Sequence, residues 1–216
     1  MSTAEKFDWL TADQLKAELT GAGVIGRELV VLKETGSTND AILQFSSTHF
    51  PPPAPEGLVL LAEHQTNGRG QRGNRWESTK GKGLWFSILL RPKIHLCDSG
   101  RLTIWAVKAI SDAIRAEFGV EPEIKLPNDI QLFGRKVAGV LVEMRAQENA
   151  SHLAVVGVGI NVNQSHDDLP VELQERAISL AMALGREVDR QKFAVALLRN
   201  LDLAYRENVL NGIAGG

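Results

Sequence analysis

Nine consecutive residues, Gly68-Arg69-Gly70-Gln71-Arg72-Gly73-Asn74-Arg75-Trp76, combine flexible backbone, three guanidinium groups and one large aromatic face. Glycines let a backbone come close to a ligand, arginines neutralise phosphate or carboxylate oxygens, and a tryptophan offers a surface to a planar base. Such a segment suits an anionic ligand that carries a nucleobase, although a Gly/Arg-rich stretch can equally be a mobile, solvated loop. The apolar runs Gly57–Ala62 and Gly83–Leu90 on either side have strand length and composition, so the segment joins two core strands. A connection of about 20 residues is longer than a hairpin needs, and long ordered loops in compact domains usually serve function. No Gly-Lys-Ser/Thr follows the glycines and no helix opens at Gly73, which argues against a P-loop or a dinucleotide fingerprint.

Two further constellations carry chemistry. In Lys125-Leu126-Pro127-Asn128-Asp129 the proline interrupts the ladder and two short polar side chains stand at the break, either as a plain turn or aimed at a ligand. Lys136 begins the apolar run Lys136–Glu143 and is either a solvated edge charge or a catalytic cation. Strict strand alternation puts Gly139 on the face opposite Lys136. In Val156–Asn163 the glycines Gly157 and Gly159 share one face, through the close approach of a ligand or through packing on a central helix.

The elements that must position these residues follow from periodicity and caps. Asp8–Leu19 reads as a short helix with Thr11 as its N-cap, and Arg27–Lys33 as the first strand. Ser37 and Asp40 have the spacing of a capping box ahead of Ala41, Ile42 and Phe45, so a helix starts there. Phe50–Pro55 is a stiff proline-rich connector. Leu102–Phe118 is the long central helix, closed by Gly119. Glu123–Leu126, Asp129–Leu132, a turn at Phe133-Gly134, Lys136–Met144 and His152–Val162 read as strands, and Val171–Ala177 and Arg190–Val209 as helices. The predicted class is α+β, with a mostly antiparallel mixed sheet flanked by helices.

The 216 residues are 44% hydrophobic, enough for one domain with a real core. A formal net charge of -2, from 24 basic and 26 acidic residues, gives no general field for nucleic acid. Cys97 is alone, which excludes an internal disulfide, and it is expected to be buried. The start of the chain carries Glu5, Lys6, Asp8 and Asp13 rather than an apolar signal segment, and no run reaches membrane-spanning length. A cytoplasmic protein without membrane contact is expected. No metal-ligand spacing is evident, so no protein-borne metal site is expected.

Taken together, Gly36–Asp40, Glu63–Trp76, Gly81–Leu90, Lys125–Asp129, Arg135–Glu143 and Val156–Asn163 resemble, in order and separation, the biotin protein ligases. The resemblance covers roughly Gly26 to Asn200. It implies the class II synthetase-like fold of the biotin/lipoate ligase catalytic domain. It also implies a two-step reaction in which biotin and MgATP give biotinyl-5'-adenylate and pyrophosphate, and the adenylate then acylates a lysine of a biotin carboxyl carrier protein domain. A lipoate or octanoate transferase of the same superfamily, or a non-catalytic nucleotide-sensing module, are the competing readings.

The resemblance also assigns residues. Ser37, Thr38, Asn39, Gln65, Gly68 and Arg69 would hold biotin, with Gly139 along its tail. Lys136 would meet both the biotin carboxylate and the α-phosphate. Arg72, Arg75, Trp76, Asn128 and Asp129 would serve ATP and its magnesium, and Lys136, Arg69 and Arg72 would be the catalytic cations. The loop departs from one common form in which arginines stand where Gln71 and Asn74 are found. A helix-turn-helix domain and a C-terminal β-barrel, present in some members, are expected to be absent, with the whole of residues 1–216 a single catalytic domain. No specific binding of duplex DNA is expected, and the sheet edges would allow a homodimer.

Overall fold

Short apolar runs punctuated by glycine, proline and asparagine leave the chain little choice but strands. The computed structural model describes residues 9–21, 23–51, 54–146 and 152–210. The residues of the acidic start up to Asp8, Pro52 and Pro53 of the connector, and the tail after Leu210 lie outside the described residues. Among the described residues the strands are β1 (Leu29–Leu32), β2 (Val59–Ala62), β3 (Gly83–Leu90), β4 (Glu123–Lys125), β5 (Asp129–Leu132), β6 (Arg135–Arg145) and β7 (Leu153–Asn161). They form one sheet in the order β1-β2-β3-β7-β6-β5-β4, parallel between β1 and β2 and antiparallel elsewhere. The mixed, mostly antiparallel sheet expected from the sequence is therefore present.

The helices are α1 (Ala12–Glu18), α2 (Thr38–His49), α3 (Ser99–Phe118), α4 (Leu180–Leu184) and α5 (Arg190–Tyr205). In α3, Leu102, Trp105, Ala106, Ala109, Ile110, Ala113 and Ile114 recur at three- and four-residue spacing and are buried against one face of the sheet. Gly119, at φ 66, ends the helix in the left-handed conformation, and its N–H is donated to the Arg115 carbonyl. A smaller cluster of Ile42, Leu58, Leu60, Leu89 and Val155 joins α2 to the other face. Because β3 and β7 are covered on both sides, every residue in them is buried, at roughly 1.5–3 kcal/mol for each large aliphatic side chain.

Several expectations need correction. The Ser37 side chain makes no capping bond, and the Asp40 carboxylate is held by Arg69, so the expected capping box is not formed. Val171–Ala177 is not an α-helix: after Pro170 one 3-10 turn, Val171–Leu173, is formed, the chain turns on through Arg176, and Ala177 then forms a parallel bridge with Lys136. The short α4, capped by the Ser179 hydroxyl, was not anticipated. Cys97 is exposed in a 3-10 turn rather than buried. Thr11 does cap α1, accepting from the Gln14 N–H at 3.4 Å. Among the described residues no helix is long and apolar enough to cross a membrane.

Two buried carboxylates knit distant parts of the chain. Glu63, at the end of β2, pairs with Arg190 at 2.7 Å and accepts the Leu10 N–H at 2.6 Å, and Arg190 also donates to the Gly83 carbonyl at 3.1 Å. Asp202 on α5 accepts the N–H groups of Gly23, Val24 and Ile25 at 2.9, 2.7 and 2.8 Å. Burial pushes the Asp202 pKa up, but these backbone donors outweigh it and hold the carboxyl below its ordinary range. A folded-state pKa below the unfolded one stabilises the protein above the unfolded pKa, and that contribution is lost as pH falls through the folded value, below about pH 4. Asp202→Asn is expected to cost about 1–3 kcal/mol at pH 7. Thermal melts should show the gap from wild type shrinking toward pH 3, and a pH-independent gap would remove the carboxylate charge from the explanation.

Candidate functional site

The first turn of α2, the 63–82 connection between β2 and β3, and the glycine-bearing strands β6 and β7 enclose a cleft of about 330 Å³. It opens on the sheet face that carries α2, away from α3. Its neutral end is a chain of hydrogen bonds. Gln65 Oε1 accepts the Thr38 N–H at 2.8 Å and its hydroxyl at 3.1 Å, and the Ser87 hydroxyl lies 2.8 Å from that of Thr38 and 2.6 Å from Asn39 Oδ1. Ser37, Thr38, Asn39, Gln65 and Ser87 are all buried. Neutral donors and acceptors held this way suit an uncharged polar ligand group such as a urea.

The cationic end depends on an irregularity in β6. Ile130 of β5 pairs with Ala138, while the next residue, Gln131, pairs with Lys136, so Val137 is an extra, bulged residue. Val137 and Ala138 both point into the core. Lys136 and Gly139 therefore share the cleft face, contrary to the alternation expected of a regular strand. A Cβ on Gly139 would lie 2.9 Å from the Lys136 Cε and 2.9 Å from the Trp76 ring, so its missing side chain makes room for those two groups. The Lys136 backbone is fixed on both sides: its N–H is donated to the Arg176 carbonyl at 2.8 Å and its carbonyl accepts from Ile178 at 2.9 Å. The ammonium lies 2.6 Å from Asp129 Oδ1 and 5.1 Å from the Trp76 ring centroid.

The Gly/Arg segment doubles back on itself. Gly70 donates to the Asn74 carbonyl at 2.7 Å and Trp76 to the Gly68 carbonyl at 2.9 Å, with Arg72 and Gly73 at positive φ in the tip. This brings Trp76 down onto β7, where a Cβ on Gly159 would stand 2.5 Å from the indole. Gly157 likewise faces the Asn39 side chain. The two glycines therefore serve the cleft, and the packing alternative on α3 falls away. Arg69 reaches across the cleft mouth to Asp40 and Glu143. The hydrogen bond to Arg69 draws the Asp40 pKa down against its partial desolvation, and the same bond raises that of Arg69. Arg75 pairs with Glu77 at 3.2 Å.

Of the residues singled out from the sequence, all except Gly68 line this cleft; Gly68 holds Trp76 through its backbone. Asn128 brackets Val140, donating its amide to the Val140 carbonyl at 3.0 Å and accepting the Val140 N–H at 3.0 Å, so part of its polarity serves the strand break. Sequence reasoning missed Ser87, which supports Thr38 and Asn39 from behind the cleft, and the pairing of Asp40 and Glu143 with Arg69. A lone hydroxyl inside the apolar run Leu84–Leu90 was the available signal for Ser87. Trp76 and Lys136 also line an adjoining cleft of about 510 Å³ that includes Lys125, Asn161 and Arg176. Among the described residues no group of three or more His, Cys, Asp or Glu side chains could hold a metal ion.

Residues 31–161 match the profile of the biotin/lipoate A/B protein ligase family. The chain is 37% identical to the bifunctional ligase/repressor BirA of Bacillus spizizenii over 88% of this chain and 57% of that protein. It is 35% identical to a biotin–acetyl-CoA-carboxylase ligase of Mycobacterium tuberculosis, over 87% of this chain and 68% of the relative. Its fold superposes on the biotin protein ligase of Aquifex aeolicus, solved in complex with biotin and ATP, with a TM-score of 0.70 and 30% identity over 85% of this chain and 72% of that one. The chain thus spans little more than half the length of the BirA relative.

Proposed function

The chain belongs to the biotin/lipoate A/B protein ligase family, and on that premise we propose that it joins biotin, at the expense of ATP, to a lysine of a biotin carboxyl carrier protein domain. A biotin carboxylate oxygen attacks the α-phosphorus of ATP and pyrophosphate leaves; the carrier's lysine amine then attacks the acyl carbon and AMP leaves. The observation that carries this reading is the polarity of one cleft, with neutral hydrogen-bonding groups at Ser37, Thr38, Asn39 and Gln65 and a fixed ammonium at Lys136. A ureido ring belongs at the first end, and the meeting of two anions belongs at the second.

In this assignment Ser37, Thr38, Asn39 and Gln65 hold the ureido ring, and the backbone at Gly68 and Arg69 closes over it. Lys136 spans carboxylate and α-phosphate, while Arg72 and Arg75 face the nucleotide. Trp76, which walls both clefts, offers adenine an aromatic neighbour, with Asn128 and Asp129 on the same side. Magnesium enters as part of the nucleotide substrate, held mainly by phosphate oxygens. The work is placed in the cytoplasm, beside ATP and the carrier.

The test is exchange of labelled pyrophosphate into ATP. Exchange is expected with biotin present and not with lipoate or octanoate in its place. Support by lipoate or octanoate alone would transfer the assignment to the other branch of the family, and nucleotide binding without exchange under any acid would mark a sensing module.

A further inference from the structure

Arg69 is the first arginine of the Gly/Arg segment, yet in the closed loop it faces carboxylates. Both terminal nitrogens of its guanidinium are engaged by Asp40, in the first turn of α2, and one of them also lies 3.1 Å from Glu143 Oε2 on β6. Glu143 in turn accepts the Asn39 amide at 2.6 Å. Three separate pieces of the molecule therefore meet at one guanidinium: the helix that opens the neutral pocket, the loop that covers it, and the strand that carries Lys136. If the loop swings out, Asp40 and Glu143 lose the guanidinium they share and Asp40 keeps the weaker field of Arg145, so the two ion pairs favour the closed state.

We infer that Asp40 and Glu143 are positioning residues that latch the loop over the cleft through Arg69. Arg69 spends its charge on closure, which leaves Arg72, Arg75 and Lys136 to meet the phosphates. The latch holds a bound ligand by slowing loop opening, so it acts on release more than on capture. All three side chains are partly exposed, with side-chain accessibilities of 33% for Arg69, 60% for Asp40 and 41% for Glu143, so salt weakens the latch. The effect on ligand release rests on the biotin assignment; the effect on the loop itself does not.

The experiment compares wild type, D40N, E143Q, D40N/E143Q, R69Q and R69Q/D40N. Amide exchange of residues 67–76 is measured without ligand, and biotin dissociation by stopped flow at low and high salt. Each carboxylate variant should speed loop exchange and biotin release several-fold and the double variant roughly tenfold, with the association rate, the exchange of β3 and α3, and the melting temperature nearly unchanged. Added salt should speed release from wild type more than from the double variant, and D40N should add nothing further in the R69Q background. Wild-type loop exchange in D40N/E143Q, or full additivity with R69Q, would overturn the latch. A loosened loop in a protein that does not bind biotin would support the latch and sink the ligase assignment.

Discussion

Lys136→Ala is expected to slow biotin-dependent pyrophosphate exchange by about 10²–10³, the usual loss when one preorganised charge-stabilising donor is removed. The ammonium is held by Asp129 at 2.6 Å, lies over the Trp76 ring, and is carried by a backbone pinned on both sides by Arg176 and Ile178. A group fixed this firmly needs little reorganisation as two anions approach, and alanine leaves those anions without compensation. Binding of the second substrate should weaken too. Lys136→Arg should recover little, because the space left by Gly139 already contains the lysine stem and the indole, and a planar fork is larger than an ammonium. A circular-dichroism melt beside the exchange assay separates chemistry from unfolding. Near-wild-type exchange by the alanine variant would remove Lys136 from the catalytic list.

The largest stability effect is expected at Arg190. Arg190→Met leaves the Glu63 carboxylate buried, 2% exposed, with its charge unpaired, and removal of one partner from such a pair costs about 3–5 kcal/mol. For a chain of this size that corresponds to a melting temperature lower by roughly 6–20 °C. The double variant Glu63→Leu/Arg190→Met should recover most of the loss, since an apolar pair of similar volume is often neutral. Because Glu63 also accepts the Leu10 N–H, a residue of that cost should persist. If the double variant melts below the single one, the ion pair is contributing more than mutual neutralisation.

Much of this architecture was legible because local chemistry and global fold agree. The continuous apolar run at Gly83–Leu90 is a strand buried on both faces, and the helical spacing up to Phe118 ends where Gly119 predicts. Phe133-Gly134, both at positive φ, turn β5 into β6 as a two-residue hairpin turn must. The site residues could be named because each motif carries unusual side chains at a break in regular structure. What was hidden depends on partners far apart in the chain. Asp40 fits a capping box by spacing, and only the fold brings Arg69 up to hold its carboxylate. Val171–Ala177 has helical composition, yet Lys136 offers its backbone and captures the end of that segment. The face of Lys136 could not be read at all, because alternation assumes one residue per step and β6 breaks that count at Val137.

That break has a meaning for sequences other than this one. Upstream of Val137 the strand keeps one reading frame and downstream another, and the bulge absorbs the difference. In a regular strand a lysine and a glycine share a face when they are two positions apart; here they do so three apart. Lys-x-Gly without a bulge and Lys-x-x-Gly with one are two spellings of the same arrangement in space. An aligned gap of one residue at this point therefore need not signal a lost cation, and the strand mouth is free to lengthen by a residue without turning the rest of β6 inside out.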